Sequence, residues 1–165
     1  MKQTLFAILE PGLRGRRFLD LFAGSGAGGI EALSRGATEA VLVERDRDAV
    51  AVIERNLGAT RLDARAHVVR AEVAGWLARQ ARSAGPFAAI LVDPPYDAPS
   101  DLEDALREIA DAGRGTILAA DGVIVAKHSR GTLPGANIGL LRSIRERRFG
   151  ETTLTFLRWA DEEDG

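Results

Sequence analysis

The 165-residue chain contains no cysteine. This absence excludes disulfide bonds, thiolate metal sites and a cysteine nucleophile. Histidine is almost as scarce, because His67 and His128 are the only two in the sequence. A histidine-rich metal centre is therefore disfavoured as well, and we expect no metal in the protein.

Long apolar runs and an excess of positive charge are also lacking. No segment approaches the roughly 20 apolar residues of a membrane span, and residues 1–9 lack the features of a signal peptide. We therefore expect a cytoplasmic protein with no membrane partner. The net charge is −2, so a nucleic-acid partner would have to be held by a local basic patch. Arginine supplies 20 of the 22 basic residues, which suits phosphate contacts but also fits a simple codon bias.

What the sequence does contain is an alternation of strand-like and helix-like segments, typical of βαβ units and a parallel sheet. The predicted strands are 18–22, 40–44, 66–70, 87–92 and 122–126. The predicted helices are 2–9, 28–35, 47–57, 72–84 and 101–112. Segments 140–149 and 151–159, separated by Gly150, predict an antiparallel hairpin at the end of a single domain.

The first motif is DLFAGSGAGGIE at residues 20–31, where an apolar strand leads into a glycine-rich turn and a helix. Gly24, Gly26 and Gly29 match the G-x-G-x-x-G spacing of nucleotide-binding turns, which is a weak signal alone. Asp20 is the discriminating residue. A carboxylate there would repel a pyrophosphate and would suit a ligand that carries an ammonium group, such as S-adenosylmethionine. A tight turn that binds no ligand remains the alternative.

Two further acidic residues follow neighbouring strands. Glu44 ends the second predicted strand, where a carboxylate accepts hydrogen bonds from ribose hydroxyls. Glu72 follows the third strand and is a candidate for the adenine edge. The alternatives are a solvated charge beside Arg45 and Asp46 for Glu44, and a helix N-terminal acid favoured by the macrodipole for Glu72.

The second motif is DPPY at residues 93–96, directly after the apolar strand 87–92. The two prolines stiffen the backbone and remove two N–H donors. The Asp93 carboxylate and the Pro94 carbonyl are then available to accept both hydrogens of an exocyclic base amine. Tyr96 offers an aromatic face on which an unstacked base could lie. A proline-rich turn without a catalytic role is the alternative.

Together, DLFAGSGAGGIEALSRGA at residues 20–37, the Glu44 strand end and VDPPY resemble the RsmD-type 16S ribosomal RNA guanine-N2 methyltransferases. RRFGETTLTFL at residues 147–157 resembles the final hairpin of that family. The resemblance implies a Rossmann-like S-adenosylmethionine-dependent methyltransferase fold, with a mostly parallel seven-stranded sheet and an antiparallel C-terminal hairpin. It also implies a monomer that acts on a guanine of 16S rRNA or of a small-subunit assembly intermediate.

The candidate residues follow from the motifs and the resemblance. The catalytic set is Asp93, Pro94, Pro95 and Tyr96. The set expected to bind S-adenosyl-L-methionine is Asp20, Phe22, Ala23, Gly24, Ser25, Gly26, Glu44, Arg45, Glu72 and Val73. Candidate substrate-binding residues are Lys127, where relatives often carry an acid, and Arg130. Arginines 142, 145, 147 and 148 form a further basic cluster, which could equally be a solvated face. We expect His128 on the surface or in a loop, and the alternative is contact with the substrate or a role as proton acceptor. Trp76 and Trp159 are expected in the core.

Three alternatives to the rRNA guanine reading stay open. DPPY also occurs in adenine-N6 DNA methyltransferases, and the glycine spacing alone would fit an NAD-dependent oxidoreductase. The third alternative is a module that binds the cofactor but is catalytically impaired. The family carries an additional N-terminal segment before the helix matching KQTLFAIL, whereas this chain begins inside that helix. We therefore expect part of an RNA-facing edge to be missing.

Overall fold

A computed structural model describes residues 1–129 and 137–161 of the chain. Within them, eight strands form one sheet in the order β3-β2-β1-β4-β5-β8-β7-β6. The strands are β1 Arg17–Leu21, β2 Glu39–Glu44, β3 Ala66–Arg70, β4 Phe87–Val92, β5 Leu118–Ser129, β6 Asn137–Ile138, β7 Leu141–Phe149 and β8 Thr152–Trp159. Strands β1 to β5 run parallel, so their carboxyl ends lie on the same edge of the sheet.

The predicted hairpin is confirmed, because β7 pairs with β8 and β8 pairs with β5, both in antiparallel orientation. The mostly parallel sheet is confirmed as well. Its strand number exceeds the expected seven by one, because the two-residue β6 adds to the edge of β7. So short a strand has no repeating apolar pattern in the sequence.

Among the described residues, six α-helices cover the sheet. They are α1 Lys2–Leu13, α2 Ala27–Ser34, α3 Arg47–Thr60, α4 Val73–Arg79, α5 Ala81–Ala84 and α6 Pro99–Ala112, and a short 3-10 turn spans Asp63–Arg65. Local sequence signals explain where two helices begin. The Asp46 side chain accepts a hydrogen bond from the Asp48 N–H at the start of α3, and Pro99 is the first residue of α6. The helix predicted at 72–84 is two helices, because Gln80 leaves helical dihedral angles.

Apolar side chains form one core on each side of the sheet. On one side, which we call the α1 face, Phe6 of α1, Leu33 of α2 and Ile53 of α3 pack against the sheet. On the other, the α6 face, the cover comes from α4, α5 and α6, and it includes Trp76 and Leu106. Trp76 and Trp159 are both buried, as predicted. All six residues of β4 are buried, as expected for a strand covered on both faces.

Strand β5 is much longer than the predicted 122–126 segment, and this changes the position of His128. The expectation of a surface or loop histidine is wrong: His128 lies within β5 and is 7% exposed. Its Nε2 lies 2.7 Å from the Thr155 Oγ1 of the neighbouring strand, and its Nδ1 lies 3.0 Å from the Ser129 carbonyl oxygen. Burial is tolerated because both ring nitrogens have polar partners.

In the described ranges, no helix is both long and apolar enough to cross a bilayer.

Candidate active site

A cavity of about 350 Å³ opens where the parallel strands end. That is the edge at which open α/β sheets bind ligands. The volume lies at the lower end of the range for small-molecule sites. Its lining residues are Phe22, Gly24, Glu44, Arg45, Glu72, Val73, Asp93, Pro94, Pro95, Tyr96, Asp101 and Lys127. All of them except Asp101 are predicted site residues, so the fold brings the two motifs to one cavity.

The glycine turn after β1 forms one wall of this cavity. Phe22 and Gly24 have φ angles of +62° and +58°. A positive φ angle is strained for a phenylalanine but not for a glycine. The backbone strain of this turn therefore lies at Phe22 and not at Gly24. Gly24 exposes its backbone N–H, which donates a 3.0 Å hydrogen bond to Glu44 Oε1.

Glu44 is held by backbone groups on both carboxylate oxygens. Besides the Gly24 contact, its Oε2 accepts a 2.9 Å hydrogen bond from the Asp46 N–H. Each oxygen keeps a free lone pair, since a carboxylate offers about four acceptor positions. The carboxylate is therefore fixed at the cavity wall with acceptor capacity left for two hydroxyl groups.

Arg45 and Glu72 form the rim beside Glu44. The Arg45 Nη1 lies 3.6 Å from Glu72 Oε1, and both side chains are about two-thirds exposed. Val73, the first residue of α4, is buried and gives this end of the cavity an apolar surface. This part of the cavity therefore combines an apolar surface with a charged rim.

Asp20 does not line the cavity. It is 2% exposed and lies beneath the glycine turn, where its Oδ2 accepts a 2.9 Å hydrogen bond from the Gly29 N–H in the first turn of α2. Burial raises the pKa of Asp20 to about 8, helped by Asp93 and Glu44 and opposed by the Gly29 hydrogen bond. From the sequence, Asp20 was expected to face the ligand as a carboxylate. The structure instead makes Asp20 a support of the turn, and largely uncharged at neutral pH.

Asp93 and Lys127 meet at the inner end of the cavity. Lys127 Nζ lies 3.4 Å from Asp93 Oδ2, and both side chains are about one-third exposed. Burial raises the pKa of Asp93, while the Lys127 ammonium acts in the opposite direction through charge and hydrogen bonding. Lys127, predicted only as a substrate contact, therefore also interacts with the first residue of DPPY.

Tyr96 is the most exposed large apolar side chain of the site, at 75%. Its hydroxyl lies 3.3 Å from the Thr152 Oγ1 at the start of β8. This contact fixes one end of the ring to the terminal hairpin and leaves its face open toward the cavity mouth. Tyr96 thus has the geometry of a stacking surface.

The remaining predicted residues lie elsewhere. Ala23, Ser25 and Gly26 shape the glycine turn without lining the cavity; the Ser25 carbonyl, for example, accepts a hydrogen bond from Asn56 Nδ2 at 3.0 Å. Arg130 lies outside the described residues.

Three residues that line the cavity or contact its lining residues were not predicted from the sequence: Asp46, Asp101 and Thr152. Asp101 lies in the first turn of α6, and its sequence context, PSD, is indistinguishable from an ordinary helix start. Asp46 contacts Glu44 through its backbone N–H. Thr152 lies near Tyr96 because β8 pairs with β5 in the folded sheet. None of these contacts has a sequence signature.

The cavity suits S-adenosylmethionine in the chemistry of its walls. Gly24 leaves open space where a side chain would stand, and Glu44 presents an oriented carboxylate for a ribose diol. Val73 and Phe22 provide apolar surface for a base. With a parallel sheet that ends in an antiparallel hairpin, these features define the class: an S-adenosylmethionine-dependent methyltransferase fold.

The family model "Conserved hypothetical protein 95" matches residues 1–158, and the chain belongs to this family. It is 36% identical over 152 residues to "Putative rRNA methyltransferase YlbH" of Bacillus subtilis, covering 92% of this chain and 80% of that protein. It is 38% identical over 113 residues to "Ribosomal RNA small subunit methyltransferase D" of Escherichia coli, covering 68% of this chain and 54% of that protein. The resemblance to RsmD-type methyltransferases is thereby confirmed.

A solved structure agrees with this assignment. "Putative methyltransferase yhhF" from Escherichia coli superposes with a TM-score of 0.83 at 31% identity, covering 96% of this chain and 84% of that one. The Rossmann-like methyltransferase architecture is therefore shared over nearly the whole chain.

Proposed function

We propose that this protein transfers a methyl group from S-adenosylmethionine to the exocyclic N2 amine of a guanine in small-subunit ribosomal RNA. The proposal rests on one observation: the residues suited to the cofactor and those suited to the target amine line the same cavity. Gly24 and Glu44 line this cavity together with Asp93 and the rest of DPPY. A cofactor and a base amine bound there would be neighbours, which is the positioning that methyl transfer requires.

Glu44, Gly24, Arg45 and Val73 would hold the cofactor. Glu44 would accept hydrogen bonds from the ribose hydroxyls, and Val73 would contact the adenine ring. When bound, S-adenosylmethionine supplies the electrophilic methyl group, which passes to the amine nitrogen as the carbon–sulfur bond breaks. Asp20 would act indirectly, by holding the Gly29 N–H and with it the turn that carries Gly24.

Asp93 and Pro94 would act on the target amine. A base amine is a poor nucleophile because its lone pair is delocalised into the ring. The Asp93 carboxylate and the Pro94 carbonyl accept its two hydrogens and localise the lone pair on nitrogen. The proton is lost after transfer, so no separate general base is needed. Lys127 would keep Asp93 ionised and oriented for this task.

Tyr96 would hold the target base in place. Its exposed ring lies beside the Asp93–Pro95 loop, and its hydroxyl contact to Thr152 limits rotation of the side chain. Stacking on an aromatic side chain stabilises an unstacked base by about 1–3 kcal/mol. The ring therefore favours a base that has left its helix or loop stack.

Two relatives support ribosomal RNA as the substrate, since their names call them an rRNA methyltransferase and a small-subunit rRNA methyltransferase. Guanine N2 as the acceptor rests on the resemblance of the two motifs to the RsmD-type enzymes. The direct test is transfer of labelled methyl groups to isolated small ribosomal subunits, compared with duplex DNA. We expect label in the rRNA only, and label in both would overturn the proposal.

The cofactor assignment has its own test. S-Adenosylhomocysteine should raise the melting temperature of the protein, whereas NAD should not. Stabilisation by NAD alone would favour the oxidoreductase alternative. Glu44→Ala should abolish the shift caused by S-adenosylhomocysteine, because the oriented carboxylate is lost.

Asp93→Ala separates catalysis from cofactor binding. We expect it to lower kcat by about 100-fold or more, as does the loss of one group acting mainly in the transition state. The affinity for S-adenosylhomocysteine, measured by calorimetry, should stay within about twofold. A variant that methylates at the normal rate would rule out the assigned role of Asp93.

A further inference from the structure

We propose that the α1 face of the terminal hairpin binds the phosphate backbone of the RNA substrate, through a row formed by Arg142, Arg145 and Arg147 of β7. This inference rests on the proposed function, because it assigns a binding surface to the same substrate. It concerns a part of the molecule that lies outside the catalytic cavity.

Strand pairing shows which face these arginines occupy. Arg145 pairs with Phe156 and Arg147 pairs with Leu154. Directly paired residues point to the same side of a sheet. Phe156 and Leu154 are buried in the core on the α1 face, so Arg145 and Arg147 lie on that face too.

Arg142 belongs to the same row despite its even number. The register between β7 and β8 shifts between Ser143 and Arg145, which is the signature of a bulge. Because the bulge adds one residue, side chains on the α1 face have even numbers before it and odd numbers after it. Arg142 accordingly pairs with Arg158 on the α1 face. All three side chains of the row therefore share one side of the hairpin.

The fourth arginine of the cluster is different. Arg148 pairs with Thr153, on the α6 face, and its Nη2 lies 3.7 Å from Glu146 Oε2 on that same face. The sequence presents four similar arginines, whereas the structure separates three on one face from one ion-paired residue on the other.

The three arginines of the row form no ion pair with any described residue. In the part of the chain that the structure describes, no carboxylate lies within 4.0 Å of the guanidinium groups of Arg142, Arg145 or Arg147. Arg158 lies on the same face but interacts with Asp121, which also binds Arg16 at 2.6 Å. Arg145 and Arg147 are exposed, so their charges are available to an anionic partner.

The row leads to the catalytic cavity. Arg147 pairs with Leu154, and Leu154 pairs with Lys127 on its other side. Arg147 is thus two strand spacings from Lys127, or roughly 10 Å. Lys127 contacts Asp93, so a base held at Asp93 would have its flanking phosphates within reach of Arg147.

A concave surface accompanies the row. A groove of about 230 Å³ lies between α1 and the hairpin, and its lining includes Ile8, Ile144, Arg145, Arg158 and the Arg16-paired Asp121. Ile144, at the bulge, is 56% exposed. Such a groove accommodates sugar and base while arginines contact the phosphates, as expected of a sequence-independent backbone track.

Protection of an edge strand is the competing explanation for charge on β7. Charged side chains and bulges do prevent edge-to-edge aggregation. Positive and negative side chains, however, protect a strand edge equally well, and they can do so from either face of the sheet. It does not account for three cations without acidic partners on the face that adjoins Lys127.

The test compares two double variants of equal charge change. Arg145→Gln/Arg147→Gln removes two members of the row. Arg107→Gln/Arg148→Gln removes two arginines that pair with Glu103 and Glu146 elsewhere on the surface. Binding to a protein-free 16S rRNA transcript is measured across a series of KCl concentrations, together with S-adenosylhomocysteine affinity as the check on folding.

We expect the row variant to bind the transcript about tenfold more weakly at low salt. Its plot of log affinity against log salt should be shallower by about 1.4 to 1.8, the contribution of two phosphate contacts. The control variant should keep most of the wild-type slope. Equal slopes for the row variant and the wild type would overturn the proposal, and so would equal losses in both variants.

Two further outcomes keep this proposal separate from the proposed function. An arginine-dependent affinity without guanine methylation would refute the function and leave the surface standing. Normal methylation of rRNA by the row variant with an unchanged KM would refute the surface and leave the function standing. If the glutamine variant aggregates, Arg145→Glu/Arg147→Glu keeps the edge charged, and it should bind the transcript more weakly still.

Discussion

Asp93 experiences two opposing influences, and their balance sets its charge. Burial raises the pKa of its carboxyl group, and the Lys127 ammonium lowers it. The proposed mechanism needs the ionised form, which accepts hydrogen bonds from the amine. Lys127 is therefore a positioning residue whose effect should appear in the pH dependence of the reaction.

Lys127→Met should move the acidic limb of the kcat pH profile to higher pH. Without the ammonium, burial acts on Asp93 unopposed, so its pKa rises and protonation inactivates the variant at a higher pH. Lys127→Arg keeps the positive charge and should leave the limb near its wild-type position. A methionine variant whose limb does not move would show that Lys127 does not control Asp93.

Asp20 should make the stability of the fold depend on pH. Its pKa is about 8 in the folded protein and near 3.8 when exposed, so folding favours the protonated form. The stability that this group contributes is fully present below pH 4 and is lost as pH rises toward 8. The neutral Asp20→Asn variant lacks this dependence.

The free energy of unfolding of the wild type, relative to Asp20→Asn, should therefore fall between pH 5 and pH 8. The slope should be at most about 1.4 kcal/mol per pH unit. Urea denaturation of both proteins without cofactor measures it. A difference that stays constant over this range would contradict a buried, protonated Asp20.

At the scale of elements, α2 lies unusually close to the sheet. A Cβ atom on Gly29 would stand 2.6 Å from Leu42 Cδ2 and 2.8 Å from Leu42 Cγ. Leu42 is fully buried in β2. The glycine therefore allows the helix approach that brings the Gly29 N–H to Asp20.

Gly29→Ala should destabilise the protein by about 1–3 kcal/mol, the usual cost of overpacking a core. Gly58→Ala in α3 is the matched control, since a Cβ atom there meets nothing within 4 Å. That helical substitution should stabilise the protein by about 0.5–1 kcal/mol. The same sign of change for both variants in chemical denaturation would refute the packing argument.

Element prediction succeeded where apolar runs are bounded by breakers and failed where packing decides. The limits of β3 and β4 match the predicted segments, and β4 is followed directly by Asp93 and its prolines. Helix α1 continues past Pro11 to Leu13, because Leu13 is fully buried. Before residue 122, β5 includes the exposed Ala120 and Asp121, which gave no strand pattern.

Site prediction shows the same division. Residues whose proposed role rests on their own side-chain chemistry, such as Glu44 and Asp93, were predicted from motif and strand end, and both line the cavity. The actual position of Asp20 was not, because burial beneath a turn is a tertiary property. The sorting of the β7 arginines also depends on a bulge that has no sequence signature.

At the scale of the whole molecule, the sheet does two jobs. Its parallel half gathers the ends of β1, β2 and β4 around one cavity, and its antiparallel half extends from Lys127 to β7. The first half fits a cofactor and a base amine. The second provides a positively charged surface next to them, although the chain as a whole has a net charge of −2.

The identity of the methylated nucleoside tests the central claim most directly. Small subunits lacking the modification would be incubated with the protein and S-adenosylmethionine, and their digested rRNA would be analysed by mass spectrometry beside an Asp93→Ala reaction. The account predicts N2-methylguanosine in the wild-type reaction only. Methyl groups on adenine, or N2-methylguanosine formed equally by the Asp93→Ala variant, would contradict it.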